Sequence, residues 1–197
     1  HDNSIKWLEC DPFFVFHFAN AYEQDKKIII DYAHHGGLRF LDNNSNQFSP
    51  PMMYRSIIDV DKMNLTHQQM DDTIIEFPRI KEDRNSLSHR YVYAAGQTDK
   101  DVNFGFNTII KYDCDTKTKQ YHDFGKTMTV GEPVFAQNKN PISEDDGYVM
   151  QFVYDSATNS SDFVILNANN LTDKQIARIK MPRRIPHGLH GSWLPDL

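Results

Sequence analysis

Nine histidines stand in this 197-residue chain: His1, His17, His34, His35, His67, His89, His122, His187 and His190. Imidazole binds first-row metals and moves protons near neutral pH. The setting of each histidine decides whether it could do either. His17 lies in Asp11-Pro12-Phe13-Phe14-Val15-Phe16-His17-Phe18-Ala19-Asn20-Ala21-Tyr22-Glu23. On a strand, alternation would set Phe14, Phe16 and Phe18 on one face and Phe13, Val15 and His17 on the other. The imidazole then belongs to an apolar wall. That pattern suits a core histidine bonded to a carbonyl, or a metal ligand held in a dry site. His190 lies in Arg184-Ile185-Pro186-His187-Gly188-Leu189-His190-Gly191-Ser192-Trp193. The three-residue spacing of His187 and His190 suggests a chelating pair on a helix, but Pro186, Gly188 and Gly191 disfavour a helix there. A ligand at a strand end beside glycine and a plain turn histidine are the two readings left.

Other groups invite blander readings. Glu144-Asp145-Asp146 is an acidic turn, suited to solvation or turn hydrogen bonds. His34-His35 precedes Gly36-Gly37 and is assigned to a loop. Glu76 reads as an exposed strand residue, and Glu132, before Pro133, as a turn carboxylate.

The elements that must position these groups are strands. Candidates are residues 13–18, 27–32, 73–77, 89–95, 107–112, 120–124, 133–137, 148–155, 162–166 and 175–180. Most are short, rich in β-branched or aromatic residues, and bounded by Asp, Asn, Gly or Pro. Helical periodicity is weak and best around 59–70. Thr108-Ile109-Ile110-Lys111-Tyr112-Asp113 and Phe163-Val164-Ile165-Leu166-Asn167 each lead through a turn to another strand, and Tyr112 aligns with Leu166, 54 residues on. A strand–turn–strand unit recurring at about 50 residues is the footprint of a four-stranded propeller blade. A two-sheet sandwich is the alternative. About 10 to 12 strands make three blades, against ~4–8 in a closed propeller. An arc of three leaves sheet faces and edges uncovered.

The formal net charge of −6 argues against nucleic acid as a partner. No run approaches the ~18 apolar residues of a membrane span. Cys10 and Cys114 form no CxxC pair and read as free thiols in a reducing cytoplasm. The sequons at Asn43, Asn64, Asn159 and Asn170 carry no weight in so Asn-rich a chain. The first residue is His1 rather than Met, which suggests a processed or truncated chain.

Six segments in order carry a resemblance. They are Phe16-His17-Phe18-Ala19-Asn20-Ala21-Tyr22-Glu23, Glu76-Phe77-Pro78-Arg79-Ile80, His89-Arg90-Tyr91-Val92-Tyr93-Ala94 and Gly131-Glu132-Pro133-Val134-Phe135. Then come Glu144-Asp145-Asp146-Gly147-Tyr148 with Phe152-Val153-Tyr154-Asp155, and Gly188-Leu189-His190-Gly191. Together they resemble the carotenoid cleavage oxygenases, which include apocarotenoid oxygenases, lignostilbene dioxygenases and a retinoid isomerase. The resemblance implies an all-β fold, a seven-bladed β-propeller with Fe(II) held on its axis by four histidines. Residues 1–197 would be the C-terminal portion of that propeller domain, about three blades, with the N-terminal half missing. His17 and His190 match the third and fourth iron ligands. Glu76 and Glu132 match two of the glutamates that hold ligand histidines. His1 is placed outside the ligand set, being too close to His17.

The resemblance further implies a dioxygenase that cleaves a conjugated C=C bond of a carotenoid, apocarotenoid or stilbene-type substrate. Its partners would be that lipophilic molecule and dioxygen, with peripheral membrane contact in some family members; no amphipathic anchor is visible here. With two of four ligands, the 197 residues alone would be inactive. A metal-free β-rich binding module derived from such an enzyme is the alternative. His187 stands where relatives often carry an aromatic residue, which leaves His187 and His190 both open as the ligand. Phe13, Phe14, Tyr22 and Trp193 suit an apolar tunnel or a core.

Overall fold

The computed structural model describes residues 4–36, 50–98 and 105–194. His1 and the sequon at Asn43 lie outside the described residues. Twelve strands account for nearly all regular structure: β1 (Phe18–Gln24), β2 (Lys27–His34), β3 (Met52–Asp59), β4 (Asn64–Arg79), β5 (Tyr91–Gln97), β6 (Thr108–Asp113), β7 (Thr118–Asp123), β8 (Met128–Val130), β9 (Val134–Gln137), β10 (Gly147–Asp155), β11 (Ser160–Asn167) and β12 (Ala177–Lys180). One short 3₁₀ turn covers Glu82–Arg84.

Antiparallel neighbours in chain order build a seven-stranded sheet, β1 to β7, and a five-stranded one around β10. The seven-stranded sheet is two blades that share a strand. The first half of β4 pairs with β3, as in Ile57↔Thr66. Its second half pairs with β5, as in Ile75↔Gly96. In the third blade the innermost position is split: β9 pairs with one end of β10 and β8 with the other. The recurring units at 108 and 163 are β6–β7 and β11–β12, the outer pairs of consecutive blades.

Face-to-face packing of the blades makes two cores. Tyr93, Ala95 and Ile109 of the middle blade meet Val130, Phe135, Val149, Val153, Val164 and Leu166 of the third. From the opposite face Ile75, Val92, Ala94, Ile110 and Tyr112 meet Ala33 and Met53 of the first. Alternation along β5 and β6 therefore feeds both cores, and both strands are buried almost throughout. The outer blades keep apolar residues exposed: Phe16 and Phe18 on one side, Phe152 and Ile179 on the other.

Two expectations are corrected. Residues 59–70 are not helical; β3 ends at Asp59 and β4 begins at Asn64. The Asp59 carboxylate accepts the Lys62 amide at 3.0 Å and Met63 turns at φ 51°, which ends any helical path. The hairpin pairs Leu65 with Ile58 and Thr66 with Ile57. Residues 13–18 are not a strand either. Phe14 makes one bridge to His35, and β1 starts at Phe18. Asp25 and Lys26, both at positive φ, close a two-residue hairpin from β1 to β2.

Candidate metal centre

Three of the four predicted residues lie where the innermost strands begin or are interrupted. His17 immediately precedes β1. Glu76 sits in β4 at a register shift, followed by Phe77 at φ 52° and by Pro78. Such a φ is costly for a bulky residue and is held only where its surroundings enforce it. Glu132 occupies the gap between β8 and β9. Pro133, which has no N–H to give a ladder, follows it. His190 lies in the irregular segment after β12.

These interruptions turn two carboxylates inward and each finds a histidine. Glu76 Oε2 is 2.6 Å from His17 Nδ1, and Glu132 Oε1 is 3.1 Å from His190 Nδ1. Both carboxylates are buried, with side chains 8% and 4% exposed. Glu132 Oε2 also accepts the Gly191 amide at 2.8 Å and pairs with Arg79 at 3.0 Å. Arg79 in turn donates to the Gly191 carbonyl. Burial pushes the Glu76 carboxyl up, but hydrogen bonds from His35, the Phe77 amide and His17 outweigh it and hold the group below the usual glutamate range.

A carboxylate on Nδ1 requires the proton there and leaves Nε2 with its lone pair. The His17 and His190 rings stand 5.0 Å apart and nearly perpendicular, with Phe77 against both. Two adjacent imidazoles, each with a carboxylate on Nδ1, suit a divalent first-row metal. His190 is the more open of the two, 58% against 23% exposed. His187 meets the Tyr154 ring.

A cavity of about 510 Å³ adjoins His190, with Phe77, Phe106, Phe152, Phe163, Leu189 and Trp193 in its wall. Of the aromatic residues suggested for a tunnel, Trp193 is there. Phe13 stacks on Tyr32 and His34, Phe14 packs on Phe16, and Tyr22 is buried against His89.

Sequence reasoning missed His35. It was assigned to a loop, but it is buried, bridged to Phe14, and its Nε2 lies 2.6 Å from Glu76 Oε1. Pairing with a strand-adjacent backbone overrode the Gly-Gly signal. The alternation that put His17 on one face with Phe13 and Val15 also fails, because 13–17 is irregular.

The acidic turn is structural, as its simpler reading held. Glu144 accepts the Arg90 and Tyr91 amides, Asp145 binds Lys111, and Asp146 accepts from Asn138. Asp31, His89 and Cys114 also cluster, but Arg55 neutralises Asp31 through two 2.7 Å contacts. Burial pushes the Cys114 thiol up to about 12. His89 Nε2 lies 3.0 Å from Asp31, off the line of a good hydrogen bond, beside this buried ion pair. Cys10 and Cys114 are both free thiols. No helix among the described residues is long and apolar enough to cross a membrane.

Comparison with known proteins agrees with this architecture. The family model described as RPE65, retinal pigment epithelial membrane protein, matches residues 1–195. An apocarotenoid-15,15'-oxygenase of Synechocystis is 31% identical over 96% of this chain and 40% of its own length. An isoeugenol monooxygenase of Pseudomonas putida is 30% identical over 96% of this chain and 43% of its own. The crystal structure of cobalt-substituted Synechocystis ACO superposes with a TM-score of 0.91 at 30% identity, over 98% of this chain and 42% of that one. The chain thus spans about two fifths of the length of these relatives. Its three blades, its ordered motifs and its match from end to end place it in one family: the chain belongs to the RPE65 family of carotenoid cleavage oxygenases.

Proposed function

We propose that the protein containing these residues is a non-haem Fe(II) dioxygenase that cleaves a conjugated C=C bond of a carotenoid, apocarotenoid or stilbene-type substrate. The observation that carries this is the pair of imidazoles 5.0 Å apart, each bonded at Nδ1 by a buried carboxylate, beside an apolar cavity. His17 and His190 would hold the iron through Nε2. Bound there, iron supplies the redox chemistry by which dioxygen adds across the C=C bond and two carbonyl products form.

The chain's own residues do the rest. Glu76 and Glu132 fix the tautomers and offset part of the 2+ charge that neutral ligands leave uncancelled. Arg79 and the Gly191 amide orient Glu132. Phe77 packs against both rings, and the aromatic wall excludes water and offers flat surfaces to a conjugated chain. The relatives' names, which include apocarotenoid and isoeugenol oxygenases, support a lipophilic conjugated substrate. Two of four expected ligands lie in residues 1–197, so this stretch by itself is inactive.

The iron-loaded intact protein, given an apocarotenal or a hydroxystilbene in air, is expected to consume one dioxygen per substrate and release two carbonyl products, read by oxygen electrode and mass spectrometry. Conversion of substrate without oxygen uptake or cleavage would overturn the dioxygenase reading.

A further inference from the structure

We propose that His35 is a positioning residue for the metal centre: it fixes the Glu76 carboxylate so that the other oxygen stays on His17 Nδ1. The inference rests on the reading of His17 as a metal ligand.

The geometry divides the work between the two oxygens. Oε2 takes His17 Nδ1 at 2.6 Å and the Phe77 amide at 2.7 Å. Oε1 takes only His35 Nε2, at 2.6 Å, among the hydrogen bonds described. The terminal torsion of a glutamate is broad and roughly two-fold. A carboxylate anchored through one oxygen can therefore swing the other. A donor on each oxygen removes that freedom. Glu132 follows the same rule, with His190 on Oε1 and with Arg79 and the Gly191 amide on Oε2. At Glu76 the second oxygen depends on His35.

His35 is itself fixed. Its backbone exchanges two 2.9 Å hydrogen bonds with Phe14. Its ring stands edge-on to Phe16, 5.1 Å away. Its side chain and that of Glu76 are 9% and 8% exposed, so no solvent shell can replace the contact. The Ala33 amide meanwhile holds the His17 carbonyl at 3.0 Å. One short stretch of chain thus registers both imidazoles on a single carboxylate. Outer partners of metal-bound histidines typically contribute 10–100-fold to metal affinity. His35 stands one step further out and acts through Glu76.

The test uses the intact protein and Co(II) as probe, read as affinity and as visible absorption of the bound metal. His35→Leu removes the donor; His35→Gln returns an amide near the position of Nε2. His35→Leu is expected to weaken Co(II) binding about 10-fold or more and to alter the absorption band, and His35→Gln to restore both to within a few-fold. A wild-type affinity and band in His35→Leu would overturn the inference. So would equal weakening in the two variants, which marks a packing role. Should His35→Leu fail to fold, His35→Met takes its place in the same comparison. His17→Ala separates the two readings. If it leaves Co(II) binding intact, the ligand assignment fails and His35 with it. If it abolishes binding while His35→Leu does nothing, only the role of His35 falls.

Discussion

Alanine at position 190 is expected to remove iron from the intact protein, whereas alanine at position 187 leaves it bound. The two histidines are three residues apart, and the sequence left both open. Their partners separate them: Glu132 bonds His190 Nδ1, and His187 sits against Tyr154. The carboxylate on His190 Nδ1 leaves its second nitrogen fixed for a metal. His190→Ala also leaves Glu132 without its imidazole donor in a buried site, though Arg79 and the Gly191 amide still hold its other oxygen. Iron per chain after desalting should drop from about one equivalent to traces in His190→Ala and stay near one in His187→Ala. Iron retained in the first variant and lost in the second would transfer the role to His187.

The second large effect is on stability. Asp31 is fully buried and carries a charge that Arg55 neutralises through two contacts, with His89 on its other side. Burial pushes the Asp31 carboxyl up, and the two Arg55 hydrogen bonds, with His89 close by, more than offset it, so its pKa lies below the usual value. Arg55→Leu strands that charge and should cost about 3–5 kcal/mol, measured from the urea midpoint. The pH dependence follows from the sign of the shift. In the native protein the depressed carboxyl contributes stability above its unfolded pKa of about 3.9, and that is lost as pH falls through the folded value. In Arg55→Leu, burial is left unopposed by the guanidinium and the carboxyl moves up, so protonation relieves the variant. The gap between the proteins should therefore narrow towards acid pH. Asp31→Leu added to Arg55→Leu should recover much of the loss. A single variant within about 0.5 kcal/mol of wild type would contradict this account.

The strand content and the blade repeat were legible because β5, β6, β10 and β11 are regular and carry both strong β formers and clear turn residues. The interrupted strands were not. Residues 13–17 read as a strand because alternating aromatics look the same in a strand and in an irregular segment that packs on one. Residues 59–70 were misread because periodicity along one chain cannot reveal a hairpin, here the one that pairs Leu65 with Ile58. The site itself came from ordered motifs rather than pattern. Taken alone, Glu76 and Glu132 looked like surface carboxylates, since nothing local marks an acid whose partner lies 59 or 58 residues away. His35 escaped for the same reason: its role arises from a bridge to Phe14 and a long-range contact with Glu76. A cue was present in Glu-Phe-Pro and Glu-Pro. Each sets a carboxylate beside a proline that breaks the strand ladder, so the side chain is freed from the pleat.

The central claim is that His17 and His190 are half of an iron site. A calorimetric Fe(II) titration of the intact protein under anaerobic conditions tests it most directly. The account predicts a single high-affinity site near one equivalent per chain, lost in His17→Ala. The absence of any such site would contradict it and favour a β-rich binding module without metal.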